Sequence, residues 1–243
     1  MPNPTAAMLV IGDEILSGRT RDANMHHLAK ELTAKGITLS EVRVVADDPD
    51  AITEAVRALS GAWDHVFTSG GIGPTHDDIT ADNIARAFGV AIDVRDDARA
   101  LLAAHYAKTG AELNAARLRM ARIPDGAALI DNPVSVAPGF TLGNVHVMAG
   151  VPAVFEAMAA TVLPQLTGGA PLISETVQIN RPEGDIAMVL NGLAADHPDL
   201  SIGSYPFQRD GKFGSNIVLR GTDAAEVATA RKALEKTFAG HIA

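Results

Sequence analysis

The sequence of 243 residues contains no cysteine, and this absence excludes disulfide bonds and thiolate metal ligands. A chain without cysteine fits a reducing compartment, so we expect a cytoplasmic location. The amino terminus also lacks a basic segment followed by a long apolar run. We therefore expect neither a signal peptide nor a membrane span.

Aromatic residues are scarce at 4%, whereas hydrophobic residues make up 47% of the chain. Aliphatic side chains must therefore build the core, which favours helices packed on a sheet over an aromatic-rich sandwich. Positive charge is also in the minority, with 20 Lys and Arg against 29 Asp and Glu and a formal net charge of -9 at pH 7. Because an acidic chain repels a phosphate backbone, we expect no nucleic-acid partner. Backbone N–H groups or a metal can still bind a phosphate locally.

Short apolar runs alternate with segments of helical periodicity along the first two thirds of the chain. The predicted strands cover residues 6–12, 39–45, 64–68, 128–130 and 145–148. The predicted helices cover residues 22–35, 50–59, 80–88, 96–108, 112–120 and 153–166. This alternation predicts an α/β fold with a mostly parallel sheet that helices cover on both faces.

Residues 167–171, which read Thr-Gly-Gly-Ala-Pro, are the best candidate for a linker. Beyond them, a strand, a helix, two strands and a closing helix follow one another, which predicts a small α+β domain. We therefore expect two domains, residues 1–168 and residues 172–243.

Three glycine-containing turns follow predicted strands: residues 12–14, 70–78 and 150–152. In an open parallel sheet, ligands bind outside the carboxyl ends of the strands. The three turns should lie together at that edge of the sheet, so they predict a ligand site there.

The loop Gly70–Asp78 is the most informative of the three. Its glycines allow bare N–H groups to approach a phosphate, and the helix that follows adds the positive end of its dipole. Asp77 and Asp78 would repel that phosphate unless a hard cation lies between them. The alternative is structural: the glycines make a tight turn, and Asp78 or Thr80 caps the helix. The loop matches neither a Walker A sequence nor the dinucleotide fingerprint.

Two further acidic pairs fall at the same predicted edge. Asp13 and Glu14 follow the first strand, and Asp47 and Asp48 follow the second. Turn polarity could explain the first pair, and capping of the helix at Asp50 could explain the second. A structural origin would require a separate explanation for each of the three acidic pairs. A single cation site at this edge of the sheet would explain all three, so we favour it.

Several of these motifs together resemble a known family, the molybdopterin-binding domains of the MoaB/Mog type. The resemblance is carried by residues 12–16 with Asp22 and Asn24, by residues 68–80, by the 132–140 loop and by residues 150–152. It is strongest to the amino-terminal domain of competence/damage-inducible protein A (CinA) and to the molybdopterin-binding-like domain of FAD synthase. With the latter the chain also shares Ile-Gly-Ser-Tyr-Pro at residues 202–206.

The resemblance implies a three-layer α/β/α sandwich and a homodimer or homotrimer. It implies that Asp47 and Asp78 are catalytic and that Asp47, Asp77 and Asp78 bind a divalent cation, Mg or Co, with potassium as a further ion. The ligand, a nucleotide or molybdopterin, is then expected to contact the loop residues. These are Gly12, Asp13, Glu14, Asn24, Ser69, Gly70, Gly71, Gly73, Pro74, Thr75, Thr80, Pro138, Gly139, Gly150 and Pro152.

Three functions from different classes follow. The first is a metal-dependent pyrophosphatase acting on a small phosphate-containing ligand such as ADP-ribose or FAD, as the CinA and FAD synthase resemblance implies. The second is a molybdopterin-binding or adenylyl-transferring protein of molybdenum cofactor synthesis. The third is a nucleotide sensor without catalysis. Acidic residues beside a phosphate loop favour the first, since a pure phosphate binder would gain more from Lys or Arg.

Overall fold

The computed structural model describes residues 3–209 and 211–242. The chain divides into two compact units, Met1–Gly169 and Ala170–Ala243. Each unit has its own hydrophobic core, and each is described by itself.

The first unit is built on a sheet with the strand order β2-β1-β3-β8-β7-β6. Strands β2, β1, β3 and β8 run parallel, and β7 and β6 continue the sheet as antiparallel neighbours. The bounds are β1 Thr5–Ile11, β2 Thr38–Val45, β3 His65–Ser69, β6 Ala128–Ile130, β7 Gly139–Leu142 and β8 Val145–Met148. A separate ribbon pairs β4 (Ile92–Val94) with β5 (Arg122–Pro124).

Helices connect these strands, and their ends follow local capping chemistry. Asp48 caps α3 by accepting hydrogen bonds from the N–H groups of Asp50 and Ala51, and Pro49 occupies the first turn. Gly89 ends α4 in the left-handed conformation. The bounds are α1 Asp13–Leu16, α2 Asn24–Ala34, α3 Pro49–Ala62, α4 Thr80–Phe88, α5 Asp96–Thr109, α6 Ala115–Leu118 and α7 Pro152–Val162.

The central strand β1 explains the layered architecture, because all its residues from Ala6 to Ile11 are buried. Ala7, Leu9 and Ile11 face one core, which helices α3, α4 and α5 complete. Ala6, Met8 and Val10 face the opposite core, which α2 and α7 complete. A strand buried on both faces requires a continuous apolar run, and this is the pattern in the sequence. The predicted α/β sandwich with a mostly parallel sheet is confirmed.

Two local predictions were wrong. The expected helix over residues 112–120 is only the short α6 followed by a 3-10 turn at Arg119–Ala121. Asn114 caps α6, so the helix begins only at Ala115. The helix cannot continue past Ala121, because residues 122–124 form strand β5 and pair with β4. The expected loop over residues 132–140 ends earlier, because Gly139 already pairs with Ile130.

The second unit is an antiparallel sheet of order β10-β11-β9 packed against two helices. Its elements are β9 Ile173–Ile179, α8 Glu183–Asp196, β10 Ser201–Arg209, β11 Lys212–Gly221 and α9 Ala224–Thr237. Val177, Ile217 and Leu234 lie at the centre of its core. Across residues 3–209 and 211–242, no helix has the length and apolar character needed to cross a membrane.

An imidazole pair lies within the sheet of the first unit. His146 on β8 is 5% exposed, and its Nε2 lies 3.4 Å from Nδ1 of His65 on β3. Its own Nδ1 lies 3.0 Å from the hydroxyl of Thr141. Burial, together with the smaller effect of the neighbouring His65, lowers the pKa of His146 to about 4. Burial also lowers the pKa of His65.

This pair should make the first unit sensitive to acid. The unfolded chain protonates His146 near 6.5, whereas the folded protein protonates it only near 4. The folded state therefore binds fewer protons in that window, and its stability falls as the pH falls from 6.5 to 4. The loss is about 3 kcal/mol at most by proton linkage. Urea unfolding at several pH values should show a flatter dependence in His146→Gln than in the exposed control His26→Gln. Equal pH dependence in both variants would contradict this assignment.

Candidate functional site

The loops after the parallel strands are joined by hydrogen bonds at one edge of the sheet. The N–H of Asp13 donates to Oδ2 of Asp47 at 3.0 Å, and the N–H of Asp47 reaches Oδ1 of Asp13 at 3.4 Å. The N–H of Gly70 donates to the carbonyl of Met148 at 3.2 Å. These bonds connect the ends of β1, β2, β3 and β8, so the predicted convergence of the turns is present in the structure.

The glycine loop is shaped by positions where a side chain cannot fit. Gly70 has φ of 110°, and a Cβ there would lie 2.2 Å from the carbonyl oxygen of Ile11. Gly71 has φ of 68°, and its Cβ would lie 2.1 Å from Oγ1 of Thr80. Both positions therefore require glycine. The loop therefore passes close against the end of β1 and the start of α4.

Asp78 and Thr80 fix the shape of this loop. Oδ2 of Asp78 accepts hydrogen bonds from the N–H of Thr75 at 2.8 Å and from its hydroxyl at 2.6 Å. Thr80 is fully buried, and its hydroxyl and N–H donate to the carbonyls of Gly70 and Gly71. The structure thus gives Thr80 an internal bracing role. It leaves Oδ1 of Asp78 as the oxygen available to a ligand.

Carboxylates cluster beside the glycine loop around Asp47. Desolvation raises the pKa of Asp47, and the negative charges of Asp13, Glu14 and Asp77 raise it further. The hydrogen bond from the N–H of Asp13 opposes this shift. Asp48, by contrast, is used as the cap of α3. The capping explanation therefore holds for Asp48, while Asp47 belongs to a group of like charges that a cation would stabilise.

The convergent loops enclose a cavity of about 500 Å³, a volume typical of small-molecule sites. Its lining includes the glycine loop and four carboxylates, those of Glu14, Asp47, Asp77 and Asp78. It also includes apolar residues: Ile11, Ile72, Met120, Ala137, Ala149, Val151 and Val154. A cavity that combines carboxylates with apolar surface suits a ligand that joins phosphate to a ring system.

One wall of the cavity is a loop organised by Asn132, which is 2% exposed. Its Oδ1 accepts from the N–H groups of Val134 and Ser135, and its Nδ2 donates to the carbonyl of Ala137. The loop holds Val136 at φ of 69°, a left-handed conformation that β-branched residues avoid. Strain of this kind persists where surrounding bonds impose it, and it is often found at ligand sites.

Replacing Val136 with glycine should relieve this strain. The left-handed conformation costs about 1–2 kcal/mol for a residue with a side chain, and glycine loses part of that gain to unfolded-state entropy. We therefore expect Val136→Gly to raise the free energy of unfolding by about 1 kcal/mol or less. Denaturant titration measures this, and Ala137→Gly, its neighbour, should lower stability. A loss of stability in both variants would show that Val136 is not strained.

The structure places most of the predicted site residues around this cavity. Those lining it are Gly12, Glu14, Asp47, Gly70, Gly71, Gly73, Asp77, Asp78, Gly150 and Pro152. Asn24 and Ser69 line a smaller chamber next to it, and Pro138 lines a narrow pocket behind the glycine loop. The predicted residues that line none of these three are Asp13, Pro74, Thr75, Thr80 and Gly139. Gly139 has a packing role, since a Cβ there would lie 2.3 Å from the carbonyl of Val147.

Sequence reasoning missed Arg119, which lies behind the glycine loop. Its Nη2 donates to the carbonyl of Asp78 at 3.2 Å, and its Nε is buried without a partner among the described residues. The available signal is the group Arg117, Arg119 and Arg122, of which the first two fall in the segment 112–120 that is predicted to be helical. The apolar residues of the lining could not be predicted, because Met120 and Val154 belong to no motif that would mark them as ligand contacts.

The donor atoms at the acidic cluster fit a hard divalent cation, because all of them are oxygens. In the part of the chain that the structure describes, no group of three or more Asp, Glu, His or Cys is already arranged to hold a metal. The protein would thus supply one or two oxygens, and phosphate oxygens and water would supply the rest. This is the usual arrangement for Mg²⁺ at phosphate sites.

Family models match both units of the chain. A family model described as "Probable molybdopterin binding domain" matches residues 7–168, and one described as "FAD synthase, middle domain" matches residues 171–243. The "Probable FAD synthase" of Caenorhabditis elegans is 34% identical over 98% of this chain. The chain spans only half the length of that protein.

Two relatives connect the chain to CinA. A "CinA-like protein" from Citrifermentans bemidjiense is 40% identical over 67% of this chain and 40% of its own length. The crystal structure of CinA from Thermoplasma acidophilum, a protein described as having unknown function, is 35% identical with a TM-score of 0.62. That match covers 68% of this chain and 99% of the crystallised one. The chain therefore belongs to the family of the probable molybdopterin binding domain, and its relatives include CinA.

Proposed function

We propose that this protein is a metal-dependent pyrophosphatase that cleaves a nucleotide diphosphate-linked ligand such as ADP-ribose or FAD. One observation carries the proposal: the carboxylate cluster around Asp47 and the glycine loop face the same cavity. Each feature alone has a structural explanation. Together they support a cation site beside a phosphate site, which is what cleavage of a pyrophosphate needs.

The cavity can receive both parts of such a ligand. The N–H of Gly70 already donates to the carbonyl of Met148, so in this proposal one phosphate binds at the backbone of Gly71 and Gly73. Val151 and Val154 offer apolar surface to a ring. A relative named as a probable FAD synthase handles a dinucleotide whose halves are joined by a pyrophosphate. The name therefore supports a ligand of the same class for this chain.

In this proposal the carboxylates bind the cation and accept a proton. Asp47 and Asp77 would hold the cation, and Glu14 lines the same cavity. The cation supplies charge neutralisation at the phosphates and lowers the pKa of a water molecule. A water oxygen attacks one phosphorus, the bridging P–O bond breaks, and the water proton passes to a carboxylate.

A second candidate function is supported by the family description. A cavity with an apolar wall and a phosphate loop also suits molybdopterin, and adenylyl transfer from ATP uses the same kind of cation site. Turnover separates the two functions: hydrolysis consumes a dinucleotide and water, whereas adenylyl transfer consumes ATP and molybdopterin.

The test is an activity panel with the purified chain. ADP-ribose, FAD and ATP with molybdopterin are each incubated with Mg²⁺, Co²⁺ or EDTA, and products are separated by chromatography. We expect ADP-ribose or FAD to yield two phosphomonoesters only with a divalent cation. Turnover of ATP with molybdopterin alone would replace this proposal with the second candidate. Binding without any turnover would leave a nucleotide sensor.

A further inference from the structure

Strand β2 forms a long, open edge of the sheet in the first unit. Within residues 3–209 and 211–242 it pairs with β1 alone, and none of its eight residues is buried. The neighbouring β1 is buried from Ala6 to Ile11. The opposite edge is formed by β6, which is only three residues long. Short edge strands resist pairing with other chains, whereas a long uncovered edge is open to a further strand.

The backbone of β2 directs hydrogen-bonding groups outward at Val42 and Val44. The carbonyl of Val45 accepts from the N–H of Gly12, so the groups of Val45 face β1. Successive residues of a strand direct their groups to alternate sides, so those of Val44 and Val42 face away from β1. Among the described residues, none bonds to these outward groups. The two side chains are 40% and 36% exposed. A partner strand would bond the backbone and cover the valines.

Two charged residues flank Val42, and each already has a partner. Nε of Arg43 donates to Oε1 of Glu41 at 2.5 Å. Oε2 of Glu41 accepts from Nε1 of Trp63 at 3.0 Å. Edge strands are often protected by a charge that a second strand would have to bury unpaired. Here the two charges neutralise each other, so they do not close this edge to a partner.

The order of residues around Val42 is complementary to itself in the antiparallel direction. If a second copy of β2 lay antiparallel and centred on Val42, Glu41 would lie opposite the partner's Arg43, and Arg43 opposite the partner's Glu41. The outward groups of Val42 would bond to those of the partner's Val42. Centring the pair one residue later, on Arg43, would place two guanidinium groups opposite each other, which is destabilising. Charge complementarity therefore identifies the partner strand as a second copy of β2.

We propose that two copies of this chain associate by antiparallel pairing of their β2 strands, centred on Val42. The two six-stranded sheets then continue into each other across a twofold axis. Each copy has one β2, and a twofold interface uses the same patch on both subunits, so this contact closes at a dimer and does not build a trimer. The proposal is independent of the reaction that the cavity performs.

The test measures the mass of the full chain by sedimentation velocity over a range of concentrations. We expect the wild type to be a dimer that dissociates on dilution. Glu41→Arg and Arg43→Glu each place like charges opposite one another twice in the dimer, so each should weaken association by about tenfold or more. The double variant E41R/R43E exchanges the charges and restores the complementary pairs. Its dissociation constant should lie within about threefold of the wild type.

A control and a second readout separate association from folding. Arg99→Glu makes the same change of charge and breaks an exposed ion pair with Asp96 on α5, away from β2. It should keep the wild-type dissociation constant. Amide exchange of Val42, followed by NMR in the wild type, tests the contact directly. Its N–H faces away from β1, so we expect it to be protected in concentrated protein and to exchange faster on dilution. This measurement decides the proposal even if a variant does not fold.

Four results would overturn the proposal. They are a wild type that is monomeric at every concentration, a dimer that either single reversal leaves intact, a lost dimer that the double exchange does not restore, and a Val42 amide that stays unprotected in the dimer. The third result would show that the strands do not pair in the register centred on Val42. None of these measurements involves ADP-ribose or FAD, so failure of the pyrophosphatase proposal would leave this one unaffected.

Discussion

Replacing Asp47 with asparagine is expected to lower the metal-dependent turnover of ADP-ribose or FAD by about 100-fold or more, since it replaces a negatively charged cation ligand with a neutral amide. The same variant should melt at a higher temperature than the wild type at pH 7 without divalent cations. The carboxylate of Asp47 is partly desolvated and surrounded by Asp13, Glu14 and Asp77, so its charge destabilises the folded protein.

The pH dependence of this stability difference has a defined sign. The pKa of Asp47 is raised in the folded protein, so the folded state favours the protonated form. Its unfavourable contribution appears as the pH rises through the folded pKa, and it disappears in acid. The advantage of Asp47→Asn should therefore be present at pH 7 and vanish at low pH.

A matched variant at the next residue controls for the loss of one negative charge. Asp48→Asn removes the same charge, and asparagine preserves the cap of α3. We expect turnover within about threefold of the wild type in Asp48→Asn, because exposed side chains outside the site change little. Adding Mg²⁺ should raise the melting temperature of the wild type and of Asp48→Asn but not of Asp47→Asn. Equal losses of turnover in both variants would reject the role of Asp47.

The layered fold could be predicted because burial on both faces leaves a direct trace in sequence. The run from Ala6 to Ile11 must be apolar throughout, because it is buried on both faces of the sheet. Asp48 and Pro49 are typical of a helix start, and α3 begins there. The shortest strands could not be predicted in this way. β4 and β5 are each three residues long, and only their pairing with each other makes them strands. That pairing joins residues too distant in sequence for periodicity to reveal.

The polar half of the site could also be predicted, because strand ends in a parallel sheet converge by topology. Asp47 and Asp77 come from different loops, yet the sheet brings them to one cavity. The apolar residues that line the cavity could not be predicted. Met120 and Ala137 reach the cavity through irregular segments, and Arg119 reaches Asp78 through a turn that was predicted to be helical.

The glycine loop yields the largest expected effect on stability. In Gly70→Ala the new Cβ would lie 2.2 Å from the carbonyl oxygen of Ile11, and the residue would have to keep φ of 110°. The contacted atom is backbone of the central strand, so it cannot move aside. We expect the free energy of unfolding to fall by about 4 kcal/mol, which corresponds to a drop of roughly 10 °C in melting temperature. Ligand binding should be lost with the loop conformation, even where the rest of the fold survives.

Gly61 provides the matched control for this substitution. It lies in α3, and a Cβ there would meet nothing within 4 Å. Because alanine is the better helix former, Gly61→Ala should raise stability by about 0.5–1 kcal/mol. The same added methyl group thus has opposite effects at the two positions, and thermal unfolding of both variants measures the difference. If Gly70→Ala were as stable as Gly61→Ala, the loop would not pass against β1 as described, and the phosphate site built on it would have no structural basis.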